Sequence, residues 1–222
     1  MTAADREVEA FLRAELGARF PSHQLCGEEE GGQSQGELVW HLDPIDGTTN
    51  FVHGLPGFVV SVALAHRGRP VAAAVYDPTG DELFCAEDGE GVTANGRGVR
   101  VSTEASIEEA LLGTGVPPVE PGKAWSLASI LRVGERARNV RNLGSAALHL
   151  CYVGAGRLSG FWEPGLHSWD VAAGVLMVRE GGGRATSLDG QPWHTGLLGC
   201  VGTNGLVHEE LLGVLAQVAA GR

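Results

Sequence analysis

The chain has 222 residues, 43% hydrophobic and 19% charged, which suits one large globular domain or two intimate ones and excludes a disordered chain. Its 16 Lys and Arg stand against 27 Asp and Glu, a net charge of −11, so a basic nucleic-acid-binding surface is excluded. No apolar run could span a bilayer, the N-terminus lacks the basic and apolar regions of a signal peptide, and the four cysteines (Cys26, Cys85, Cys151 and Cys200) form no Cys-x-x-Cys pair. A cytoplasmic protein with reduced, partly buried thiols is expected, with neither membrane nor nucleic acid as partner.

Residues 2–20 read as a helix, because Val8, Phe11, Leu12, Leu16 and Phe20 fall near helical spacing and Thr2 with Asp5 forms a helix start signal. Residues 38–42 read as a strand. Residues 58–66 and 70–76 read as strands around the turn Arg67-Gly68-Arg69. Short strands are predicted at 83–86 and 98–102, with Asn95-Gly96 as a hairpin turn. This half is antiparallel in character. In the second half, strands at 110–114 and 138–142 flank a helix at 123–134. A helix at 146–153, a strand at 160–162, a helix at 169–180, a strand at 184–187 and a helix at 208–219 follow. That alternation predicts an α/β half. The two halves, 1–103 and 104–222, are expected to meet near 101–106 and to pack as one body, since no Ser/Pro-rich linker separates them. Glycine is frequent, 34 residues, but has no period, which removes collagen-like and solenoid folds.

The most informative string is Trp-His-Leu-Asp-Pro-Ile-Asp-Gly-Thr-Thr-Asn-Phe, residues 40–51. An apolar strand ends in two carboxylates, Asp43 and Asp46, and runs into a Gly47-Thr48-Thr49 helix start. Carboxylates gather divalent cations, and backbone N–H groups at a helix start receive anions. Two more acidic groups stand out: Glu28, Glu29 and Glu30 after Gly27, and Asp170 at the head of an apolar helix. Taken singly, Asp-Pro and Asp-Gly are ordinary turn dipeptides, a glutamate triplet is usually a solvated loop, and Asp170 is a helix cap. Spacing removes two competitors. A calcium EF-hand starting at Asp43 would need a glutamate at its twelfth position, which is Gly54. The Asp-x-Asp-Gly-Thr motif of haloacid-dehalogenase phosphatases needs a nucleophilic Asp two residues before Asp46, where Pro44 stands. The histidines, among them His41, His53 and His167, show no metal-ligand spacing.

With its companions the string resembles the inositol monophosphatase family, within the lithium-sensitive, metal-dependent sugar phosphatase superfamily. The resemblance is carried by Gly27-Glu28-Glu29, by residues 40–56 (WHLDPIDGTTNFVHGLP), by residues 160–183 (GFWEPGLHSWDVAAGVLMVREGGG) and, more weakly, by residues 141–147 (RNLGSAA). It implies an α/β fold, the layered αβαβα sandwich of the inositol monophosphatase and fructose-bisphosphatase type. Family members carry a further N-terminal helix and a hairpin with a mobile, lysine-bearing loop. This sequence starts after both, so truncated N-terminal helices and a more solvent-open site are expected.

The resemblance also implies roles. Glu28 is a ligand of the first metal, Asp43 bridges two metals, the Ile45 carbonyl adds a ligand to the first, and Asp46 and Asp170 bind the second. Thr48, supported by Asp5, holds the nucleophilic water, with Glu28 or Thr48 taking its proton. The Gly47 and Thr48 N–H groups bind phosphate. Asp46, Gly144, Ser145, Ala146 and Glu163 contact the hydroxyl-bearing ring of the substrate, and Arg141 is structural, near a dimer contact. Two Mg²⁺ per chain are implied, and up to three, with Mn²⁺ able to substitute. Two divalent cations would neutralise the four carboxylates and hold the water and leaving oxygen of an in-line displacement. The expected function is Mg²⁺-dependent, lithium-sensitive hydrolysis of inositol monophosphate or a similar small polyol phosphate by a homodimer. The alternatives are a histidinol-phosphatase, a fructose-1,6-bisphosphatase, a 3′-phosphonucleotide phosphatase, or a metal-binding regulatory relative with weak activity.

Overall fold

The computed structural model describes residues 2–117, 120 and 122–220. The chain opens with α1 (Ala3–Arg19), β1 (Gln24–Gly27), β2 (Gly31–Gly32), β3 (Leu38–Asp46) and the short α2 (Thr48–Val52). It continues through β4 (Val59–His66), β5 (Arg69–Asp77), β6 (Glu82–Glu87), β7 (Gly91–Ala94) and β8 (Arg97–Val99). Then come β9 (Leu111–Thr114), α3 (Gly122–Gly134), β10 (Asn139–Arg141), α4 (Ala146–Gly154) and β11 (Gly160–Pro164). The last elements are α5 (Ser168–Glu180), β12 (Arg184–Thr186), β13 (Gly199–Thr203) and α6 (His208–Ala220).

Eight strands form one sheet in the order β2-β1-β3-β4-β5-β6-β7-β8, and five form a second in the order β10-β9-β11-β13-β12. Helices α4 and α5 pack on each other and on both sheets, α1 packs on β3, and α3 packs on α6 beside the second sheet. The layers are therefore α1, the large sheet, α4 with α5, the small sheet, and α3 with α6, the expected αβαβα sandwich. No described helix is long and apolar enough to cross a membrane.

The middle layer is deeply buried. Nine residues of α5, Ser168 and Val171 to Val178, are buried, and α4 contributes buried Leu148, Leu150, Cys151 and Val153. Glycines let these helices close on their neighbours: a Cβ on Gly174 would fall 2.3 Å from Leu150 Cβ, and one on Gly202 of β13 would fall 2.6 Å from Leu150 Cδ2. This explains why β13 escapes a reading by β-propensity, since two of its five residues are glycine for packing reasons. On the far side of the small sheet, Leu112, Trp162, Val201, Leu211 and Leu215 form a second core.

Several elements depart from the sequence expectation. β3 does not stop at Leu42 but carries Asp43 to Asp46 within it. Its pairing with β4 shifts register between Asp43 and Asp46, where Pro44 offers no N–H to the ladder. The strand expected at 98–102 is β8 at Arg97–Val99, closed by a tight turn in which Asn95 and Gly96 both have positive φ, 48° and 73°. Strands β1, β2, β7 and β13 were not expected, and β1 pairs parallel with β3 inside an otherwise antiparallel sheet. Helix α1 stands where expected, with its apolar Val8, Leu12 and Leu16 half-buried. Phe11 is 64% exposed, and the buried residues of the helix are Asp5 and Glu9.

Because Gly174 has no room for a side chain, Gly174→Ala should part α4 from α5 and lower stability by about 1–3 kcal/mol. Urea unfolding checks this, and a wild-type midpoint would contradict the packing argument.

Candidate active site

β3 brings Asp43 and Asp46 to the edge of the middle layer. Asp43 is buried, and its Oδ1 accepts the Ile45 N–H at 3.0 Å, which closes the irregular step around Pro44. Asp46 reaches across to α4: its Oδ2 accepts Ser145 Oγ–H and the Ala147 N–H, both at 2.6 Å. Ser145 caps α4, its Oγ accepting the Leu148 N–H at 3.2 Å. Asp170 lies in the first turn of α5 and accepts the His167 N–H at 2.5 Å. The start of α5 is latched to β3 by a 2.9 Å bond between Ser168 Oγ and His41 Nδ1. Two strand acids and a helix acid thus share one region, anchored by backbone donors that complement their charge.

Glu28 joins from the exposed turn after β1, where its N–H donates to Leu42 O at 3.2 Å. Thr48 opens α2 and places its Oγ 3.0 Å from Ile45 O and 3.5 Å from Asp5 Oδ1. Asp5 is fully buried in the first turn of α1 and closes a capping box with Thr2. Gly47, the residue before α2, has φ 100°, and a Cβ there would meet Gly57 O at 2.8 Å, so only glycine fits this turn. Since α2 has five residues, what it offers an anion is the free N–H groups of its first turn rather than a long helix dipole.

A cleft of about 510 Å³ runs from Asp46 and Asn50 past Gly144, Ser145 and Ala146 to Glu163. Asn50 stitches its walls together, its Nδ2 donating to Gly57 O at 2.8 Å and Leu143 O at 2.7 Å. His149 supports the same loop from beneath: Nε2 accepts the Leu143 N–H at 3.1 Å, and Nδ1 lies 2.6 Å from Ser145 O. Those two contacts define a neutral ring with its proton on Nδ1. Arg141 lies outside the cleft, exposed on the edge strand β10, bonded to Asn139 Oδ1 at 2.6 Å.

The acids act on one another strongly. Burial pushes the Asp43 carboxyl well above the usual range, and the charges of Asp46, Asp170 and Glu28 push it further. Asp170 is raised well above its ordinary value by burial and then by Asp46, with Glu28 and Glu163 adding to it. Asp46 is raised to about 6 by burial, against the lowering effect of its bonds from Ser145, Ala147 and Ala146. Glu28, although on an exposed turn, moves up through partial desolvation first and then the neighbouring charge of Glu29. Glu163 is pushed up to about 8, by burial first and then by Asp46.

Among the described residues no three of these side chains stand close enough to form a finished metal cage. The donor set is nonetheless all carboxylate oxygen, the chemistry that hard divalent cations such as Mg²⁺ and Mn²⁺ take. Its mutual repulsion is the kind that positive charge relieves. Glu28, Asp43, Asp46 and Asp170 fit such ions by chemistry and by shared field. Glu9, Asn50, His149 and the His41–Ser168 latch were not singled out from sequence. An acid one helical turn after Asp5, on the same face, was the available signal for Glu9; Asn50 directly follows the Gly-Thr-Thr string.

A carboxyl with a higher pKa in the folded chain holds its proton more tightly there, so stability falls as pH rises through that folded value. For Glu163 the window runs from its ordinary 4.5 to about 8. The buried His41, His149 and His208, each lowered to about 4, change stability only below their ordinary value of 6.5. In EDTA, Tm should therefore fall between pH 7 and about 8.5, and Glu163→Gln should flatten that fall. An equal slope in the variant would contradict the assignment.

Known proteins resemble this chain in sequence and fold. The sequence profile of the inositol monophosphatase family matches residues 1–220. The inositol-1-monophosphatase of Rhizobium meliloti is 43% identical over 206 residues, covering 90% of this chain and 77% of that protein. The fructose-1,6-bisphosphatase/inositol-1-monophosphatase of Thermotoga maritima is 39% identical over 218 residues, covering 98% of this chain and 83% of that protein. The structure of the inositol monophosphatase from Anabaena (Nostoc) superposes with a TM-score of 0.93 at 37% identity, covering 98% of this chain and 87% of that one. By sequence along nearly its whole length, and by fold, the chain belongs to the inositol monophosphatase family and is a phosphate-monoester hydrolase.

Proposed function

We propose that the chain hydrolyses inositol monophosphate or a similar small polyol phosphate, with Mg²⁺ as the natural cation and Mn²⁺ as a substitute. The observation that carries this reading is the continuity of the acidic centre with the cleft. Asp46 belongs to both, so a phosphate held beside the acids would point its alcohol towards Ser145 and Glu163. Glu28, Asp43, the Ile45 carbonyl, Asp46 and Asp170 would hold two cations. When bound, these supply the Lewis acidity that makes water acidic near neutral pH and positive charge for the phosphoryl oxygens.

The chain's own groups do the rest. Thr48 Oγ, between Ile45 O and Asp5 Oδ1, is placed to orient the attacking water and relay its proton towards the Asp5 carboxylate. The Gly47 and Thr48 N–H groups receive the phosphate. Water oxygen bonds to phosphorus as the ester oxygen leaves on the opposite side, with no covalent enzyme intermediate. Glu163, whose carboxyl is raised to about 8, is largely protonated at neutral pH without cations and can donate or accept at a ring hydroxyl. Gly144, Ser145 and Ala146 form the opposing wall of the cleft. Its polar lining of hydroxyl, amide and carboxyl groups suits a polyol better than an aromatic base.

Asp43→Asn should lower kcat by at least about 10²-fold, the scale for losing one preorganised electrostatic group. Retained Mg²⁺-dependent turnover in that variant would overturn the mechanism. A panel of inositol monophosphate, fructose 1,6-bisphosphate, histidinol phosphate and a 3′-phosphonucleotide, compared by kcat/KM, tests the substrate class. A preference for any of the last three would overturn the polyol-monophosphate reading.

A further inference from the structure

We propose that Glu9 is a positioning residue, the tether that holds the Glu28 turn against the acidic centre. The inference rests on the reading of Glu28 as a cation ligand. Glu9 is fully buried on α1, one helical turn after Asp5. Its two oxygens take different jobs on the same turn: Oε2 accepts the Glu29 N–H at 2.8 Å and Oε1 accepts the Glu30 N–H at 3.1 Å. Arg13, one further turn along α1, closes the arrangement. Its Nε donates to Glu9 Oε1 at 2.8 Å and its Nη2 donates to Gly31 O at 2.6 Å.

The turn lies directly on this carboxylate, since a Cβ on Gly27 would fall 2.3 Å from Glu9 Oε1. Glu28 is thereby fixed on both sides, by its own N–H on Leu42 O and by the two following N–H groups on Glu9. Without that anchor, Glu28 would be driven outward by the like charges of Glu29, Asp46 and Asp5. Charge-assisted bonds from two consecutive backbone N–H groups oppose this. Arg13 offsets the charge that the tether itself introduces. Glu9 thus acts on the cation site through the backbone, without touching substrate.

Outer partners that orient metal ligands typically account for about 10–100-fold in metal affinity. Mg²⁺ titration by calorimetry into metal-stripped wild-type chain, Glu9→Gln and the exposed control Glu7→Gln tests this. Glu9→Gln replaces an acceptor by an amide donor facing the Glu29 or Glu30 N–H, and its Kd should rise about 10–100-fold, while Glu7→Gln should match wild type. A residue that merely stabilises α1 would lower Tm but leave the Kd of the folded protein unchanged, and that result would overturn the proposal. If Glu9→Gln does not fold, hydrogen exchange on the metal-free wild-type chain decides. The tether predicts slow exchange of the Glu29 and Glu30 amides, and exchange at free-peptide rates would overturn it. Absence of Mg²⁺ binding by the wild-type chain would instead overturn the reading of Glu28 itself.

Discussion

The crowding of four carboxylates into one partly desolvated centre is the constraint around which this chain is built. Burial raises the pKa values of Asp43, Asp46, Asp170 and Glu28, and the charges of neighbouring acids add to that for Asp43, Asp170 and Glu28. An isolated loop bearing four such groups would open into water. Here each acid sits on an element held by something larger: Asp43 and Asp46 on a nine-residue strand inside the large sheet, Asp170 on a helix with nine buried residues, Glu28 on a turn clamped from α1. The fold supplies rigidity, and local donors moderate the charge. The Asp46 bonds to Ser145 and Ala147 illustrate this, because they join the two halves of the chain at the acidic centre. Of the four acids, Asp46 also carries the strongest set of compensating bonds.

The middle helical layer follows from the same requirement. For an acid on a strand of one sheet to meet an acid on a helix that also touches the other sheet, both sheets must close tightly on α4 and α5. Small residues make that possible. Gly174, Gly202 and Gly154 each lie where a Cβ would overlap a neighbour at 2.3, 2.6 and 2.6 Å. Their cost in backbone entropy is offset by burial of Leu150, Leu176, Met177 and Val178. The spread of glycine along the chain is therefore partly a record of close helix approach and partly one of tight turns such as Asn95-Gly96.

Legibility followed from how local each signal was. The string around Asp43 and Asp46 was readable because acids, glycine and hydroxyls lie within a few residues on one strand and its turn. The helices around Asp170 and Ala146 were readable from their apolar content. β13 was not, because its glycines serve packing across layers rather than strand propensity. Neither was the role of Asn50, whose partner Leu143 lies 93 residues away. The bulge at Pro44 could be suspected, yet the continuation of the strand through it depends on the β4 partner at Val59.

The instructive element is α1, a helix whose position follows from its sequence but whose buried residues do not. Val8, Phe11, Leu12, Leu16 and Phe20 mark it as a helix by their spacing, yet Val8, Leu12 and Leu16 are only half-buried, and its fully buried residues are Asp5 and Glu9. A surface helix normally packs by its apolar stripe, and a buried carboxylate costs stability unless its oxygens are bonded. Both acids meet that condition, Asp5 through Thr2 and Thr48, Glu9 through Glu29, Glu30 and Arg13. One turn of helix separates them, so a single rigid element spans from the Thr48 hydroxyl to the Glu28 turn. Moving α1 would disturb both at once. The helix is better understood as a two-point brace for the acidic centre than as a hydrophobic cover. Its two buried acids, which apolar periodicity does not reveal, are what that work requires.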